Sequence, residues 1–81
     1  MTDEQTQWTQ QWLAGLRDGS LKTAAGFIRK LNQFGLSDEQ MATLTDLYVQ
    51  LGVQKLCDVV EAVLLNGVEF SVAVEGVKNG S

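Results

Sequence analysis

Apolar residues recur at intervals of three and four along most of the chain, which is the spacing of one helix face. The first stripe is Trp8, Trp12, Leu13 and Leu16, and Gly19 stops it. Ahead of it stands Thr2-Asp3-Glu4-Gln5, where a hydroxyl and an amide three residues apart satisfy each other's backbone N–H groups. A second helix opens at Ser20 and presents Leu21, Ala24, Ala25, Ile28 and Leu31, with Phe27 and Phe34 on the edge of the stripe and Gly35 at its end. The third starts at Ser37-Asp38-Glu39-Gln40, the same capping pattern, and aligns Met41, Leu44, Leu47, Tyr48 and Leu51 before Gly52. In the fourth, Leu56, Cys57, Val59, Val60, Val63 and Leu64 cover well over half the circumference, so this helix is expected at the centre. The pattern predicts helices over 3–18, 21–34, 38–51 and 54–65.

At an offset of 35 residues the first two helices match the next two, Thr2-Asp3-Glu4-Gln5 falling on Ser37-Asp38-Glu39-Gln40. Two units are fewer than a helix-pair solenoid needs, and the tetratricopeptide consensus is absent. The expectation is one mainly α domain over 1–81, a four-helix bundle of two hairpins. Its core should hold Trp12, Leu16, Ile28, Leu31, Leu44, Leu47, Leu51, Val60 and Val63. The pattern then changes, because Val68, Phe70, Val72 and Val74 alternate with Glu69, Ser71 and Ala73. A period of two in β-branched and aromatic residues predicts a short strand over 68–74, with homodimerisation through that strand as the simplest way to satisfy its edges. A helix with Phe70, Val74 and Val77 on one side is the alternative, and the tail from Lys78 to Ser81 is polar.

Composition changes the picture mainly by subtraction. The chain has 81 residues, 44% of them hydrophobic and 20% charged, enough for one small globular core and too apolar for intrinsic disorder. The stretch from Val59 to Leu65 is interrupted by Glu61, and no run approaches the roughly 18 apolar residues of a membrane span. The polar, acidic segment 1–11 is unlike a secretory leader, which makes a cytoplasmic location the expectation. There is no His and a single Cys. The usual neutral-pH base is therefore missing, as are Cys/His metal sites and an intrachain disulfide, and Cys57 reads as a packing residue. No phosphate-binding glycine motif or calcium loop occurs. The expectation is a non-enzymatic protein without metal or cofactor.

Charge is unevenly spread. Residues 1–36 carry four basic and three acidic side chains, for +1, whereas residues 37–81 carry two basic and seven acidic, for −5. Helical spacing places Glu39 and Asp46 on the outer face of the third helix and Asp58 and Glu61 on that of the fourth, with Lys55 as the nearby cation. This predicts an acidic surface that docks on a protein with a basic surface, as an adaptor or inhibitor would; a narrower version is a phage-type inhibitor imitating nucleic acid. Trp8 and Phe70 are the candidate apolar anchors. The rival is a small regulator reading DNA through helices two and three as a helix-turn-helix. Against direct nucleic-acid binding, Asp38 and Glu39 stand where phosphates would lie, and only Lys22, Arg29 and Lys30 form a basic patch.

Overall fold

A computed structural model describes residues 2–18 and 24–79. The expected boundary at Gly19, Ser20 and Leu21 lies outside the described residues, as does Lys22. Five α-helices make up the described fold: α1 (Asp3–Arg17), α2 (Ala24–Lys30), α3 (Asp38–Leu51), α4 (Val53–Val60) and α5 (Phe70–Asn79). A 3₁₀ turn, Leu31–Phe34, extends α2, and a π-helical turn, Glu61–Leu65, extends α4.

Both capping patterns fold as their chemistry dictates. The Gln5 backbone N–H donates to Thr2 Oγ1 at 3.2 Å while the Thr2 N–H donates to Gln5 Oε1 at 3.0 Å. Ser37 and Gln40 repeat the exchange at 3.1 and 2.9 Å. Each pair satisfies two N–H groups that a helix start would otherwise leave without partners. Asp3, Glu4, Asp38 and Glu39 occupy the first turns of α1 and α3, where the helix dipole favours negative charge.

Helix α4 is the hub. Leu56, Cys57, Val59 and Val60 are all buried, and α1, α3 and α5 pack around them, as the wide apolar arc predicts. From the other helices come Leu13 and Leu16 of α1, Leu44 and Leu47 of α3, and Ala73 and Val74 of α5. α2 packs on α3 and contributes Ala24, Phe27 and Ile28, continued by Leu31 of the 3₁₀ turn. Thr9 is completely buried; its hydroxyl donates to the Gln5 carbonyl at 2.8 Å, so the polar atom enters the core already satisfied.

Several expectations are corrected. The segment 68–74 is not a strand: Phe70–Asn79 is α5, and no strand occurs among the described residues. With no second strand among the described residues to pair with, the segment satisfies its backbone groups by coiling, as in the 2.9 Å bond from the Ala73 N–H to the Glu69 carbonyl. Val74 and Ala73 turn inward while Val72, a member of the alternating set, remains 58% exposed. Leu51 was expected in the core and is 41% exposed, because it is the last residue of α3 and the chain leaves the helix axis at Gly52. Phe27, placed on the edge of its stripe, is completely buried beneath the rings of Trp8 and Trp12. Val63 and Trp12 are half-buried. For Val63 the reason is the π turn, whose extra residue per turn rotates 61–65 off the inward line kept by Val60.

A glycine cap closes that wide turn. Gly67 takes φ +72°, and the Val68 N–H reaches back to the Ala62 carbonyl at 2.9 Å, one residue further than in a Schellman cap on an α-helix.

Candidate functional site

The six sequence-selected residues fall into three settings. Glu39 and Asp46 lie on the outer face of α3 and are exposed. With Ala42 and Val49 they recur at intervals of three and four, so Glu39, Ala42, Asp46 and Val49 form one continuous exposed stripe. Val49 is 76% exposed, and Tyr48 and Leu51, at 36% and 41%, flank the same end of the helix. Among the described residues no cation pairs with Glu39 or Asp46. The outer face of α3 therefore carries two acids without a cationic partner among the described residues and, toward its C-terminal end beside Asp46, uncovered apolar side chains, a combination that charge spacing alone did not reveal.

Asp58 is exposed and Glu61 partly exposed on their helix, as spacing predicts, and the two share a cation from another helix. Arg17, the last residue of α1, spans both: Nη1 donates to Glu61 Oε2 and Nη2 to Asp58 Oδ1, each at 2.9 Å. The Gln54 amide adds a 3.4 Å bond to the Arg17 carbonyl. The cation that serves these acids is thus Arg17 of the first helix, 41 and 44 residues away in sequence, and not the neighbouring Lys55. The hydrogen bonds that the guanidinium donates to Glu61 and, less strongly, to Asp58 hold it above its ordinary pKa against a lowering by partial burial. A groove of about 390 Å³ between α1 and the π turn is lined by Leu13, Arg17, Glu61 and Leu65 among others. Its cation and carboxylate already satisfy one another.

Trp8 belongs to an aromatic cluster. Its ring centroid is 5.1 Å from Phe34, 5.6 Å from Trp12 and 5.9 Å from Phe27, and Trp12 lies 5.4 Å from Phe27. Such tilted and offset contacts add to the burial of the rings. Lys30 Nζ stands 5.5 Å from the Trp12 centroid, within the range of a cation–π attraction. Phe70 is half-buried at the start of α5, packed against the core. Trp8 and Phe70 are thus partly committed to the fold itself.

Cys57 is fully buried in α4, and burial pushes its thiol pKa up, outweighing an opposite pull from Arg17. A thiol raised in this way is a poor nucleophile. Among the described residues no group of three His, Cys, Asp or Glu is placed to hold a metal ion, and no helix is long and apolar enough to cross a membrane. No protein-family model, curated protein or solved structure matches the chain.

Proposed function

We propose that the protein is a non-enzymatic binding module that docks a basic protein surface on the outer face of α3. The observation that carries this reading is the stripe Glu39, Ala42, Asp46 and Val49, flanked by Tyr48 and Leu51, in which two acids without a cationic partner among the described residues adjoin exposed apolar side chains. Like charges on one helix face repel, and a basic partner relieves that repulsion while steering the encounter. Val49, Tyr48 and Leu51 supply the apolar contact that electrostatics alone does not provide.

Asp58 and Glu61, expected to bind the partner, also fasten α1 to α4 through Arg17, so the proposal centres on the acids of α3, which have no cationic partner among the described residues. Arg17 offsets one of the two negative charges of Asp58 and Glu61, which reduces the acidic surface available for imitating nucleic acid, so the reading is for a basic protein in general. Asp38 and Glu39 are exposed in the first turn of α3, which weighs against that helix as a DNA reader. The test is affinity capture with the parent and with a Glu39→Lys/Asp46→Lys variant, each at low and high salt. A basic protein retained by the parent, released by salt and lost from the variant supports the reading. Equal retention by both proteins contradicts it.

A further inference from the structure

Between the first two turns of α1 and the 3₁₀ turn lies a notch of about 220 Å³, lined by Glu4, Gln5, Trp8, Gln33 and Phe34. Its size is below the roughly 300 Å³ at which pockets begin to hold drug-sized molecules, and suits one side chain. Two of its walls are aromatic, Trp8 and Phe34, with centroids 5.1 Å apart and planes inclined at 40°. The Trp8 wall is held in place from behind, stacked on Phe27 at 26° and packed against Trp12. At the rim is the carboxylate of Glu4, which no basic side chain engages among the described residues. Gln33 adds an exposed amide, whereas the Gln5 oxygen is committed to the Thr2 N–H.

Aromatic faces and a carboxylate share one preference, since both stabilise positive charge. The cluster already shows this attraction at its other end, where Lys30 Nζ approaches Trp12 at 5.5 Å. At the Trp8 and Phe34 end no cation of the described chain is so placed. The notch also opens beside the segment that leads into the acidic stripe, Phe34 standing four residues before Asp38.

We propose that this notch receives a single Arg or Lys side chain from a basic segment of the protein that docks on α3. The inference rests on the reading of that partner as basic, and it adds a second point of attachment: the planar guanidinium or the ammonium enters between Glu4 and the Trp8 ring, while the rest of the partner lies on the acidic helix.

The test is a low-salt NMR titration of the ¹⁵N-labelled protein with a blocked penta-arginine peptide, and with the same peptide carrying uncharged citrulline at every arginine. The expected result is a saturable shift of the Trp8 indole N–H and of the backbone amides of Glu4, Gln33 and Phe34 with arginine and none with citrulline. Glu4→Gln, a change at an exposed position that leaves the helical signal intact, weakens the effect about 2–5-fold, the range expected for one exposed ion pair. Trp8→Leu gives a similar loss if it folds. Shifts confined to α3 overturn the notch and leave the α3 reading standing. Equal affinity for the parent and Glu4→Gln also overturns it. Shifts confined to the notch, with the amides of α3 unmoved in the parent, support the notch and count against the α3 surface, so the two failures are distinguishable.

Discussion

Arg17 shows how one side chain changes the meaning of two others. On helical spacing alone Asp58 and Glu61 are solvent-facing acids; in the folded chain a single guanidinium reaches both at 2.9 Å and fastens the end of α1 to α4 and its π turn. All three side chains are between 30% and 48% exposed, so water screens the pairs and each contributes a few tenths of a kcal/mol to about 1 kcal/mol. A double-mutant cycle with Arg17→Gln and Glu61→Gln should give a coupling within that range, shrinking as salt is added; chemical denaturation measures it. Cys57 has the opposite character, a neutral group whose burial resists ionisation. Its thiol is raised in the folded state above the ordinary value of 9.0, so the unfolded chain loses this proton first as pH rises. The resulting stabilisation is fully present below that value and is lost as pH climbs through the folded-state value. Denaturation between about pH 7 and about pH 10 should therefore show a steeper decline for the parent than for Cys57→Ala, which lacks the group.

At the scale of elements, the two capping boxes were legible to the atom, because Thr2/Gln5 and Ser37/Gln40 act through local geometry that tertiary packing does not override. So was the centrality of α4, since an apolar arc of that width has only the interior to face. The strand expectation failed because alternation over 68–74 is compatible with a helix whose buried face is Ala73 and Val74, and the decision depends on whether a partner strand exists. The π turn had no signature in the pattern, since one extra residue per turn over Glu61–Leu65 leaves the composition unchanged. The candidate surface was half legible: Glu39 and Asp46 follow from spacing, whereas the pairing of Asp58 and Glu61 with Arg17 requires the path of the chain. Connections give a sharper test than helices. Gly52, at φ +97° and ψ 174°, joins α3 to α4 in a region open essentially to Gly, and Gly35, at φ +89° and ψ 7°, is left-handed. A Cβ meets no atom within 4 Å at either position, so backbone strain alone sets the cost of substitution. Gly52→Ala should destabilise by about 1–3 kcal/mol. Gly35→Ala should cost about 1 kcal/mol, and thermal melting of the two variants should rank them in that order.

For the molecule as a whole, a chain this short has only about 5 kcal/mol of stability to lose. Leu56 is completely buried in α4, where α1, α3 and α5 meet, and truncating such a side chain costs about 2–5 kcal/mol. Leu56→Ala should remove about half or more of that stability and lower the melting temperature accordingly, as far-ultraviolet circular dichroism would report. Val49→Ala, at a 76% exposed position, should leave the melt within about 0.5 kcal/mol of the parent. That contrast isolates the proposed docking face, because its residues are removable without cost to the fold. The whole chain carries a formal charge of −4, and the segment 37–81 carries −5, so attraction to a basic partner extends beyond the contact and weakens as the screening length falls to about 8 Å at physiological salt. The most direct measurement is site-specific photo-crosslinking in native extract, with the photoreactive side chain placed at Val49 and, as a control, at the exposed Val72 of α5. The account expects a covalent adduct with a basic protein from position 49, absent from position 72 and lost when Glu39→Lys and Asp46→Lys are added. Adducts that form equally from both positions, or that survive the charge reversal, would contradict it.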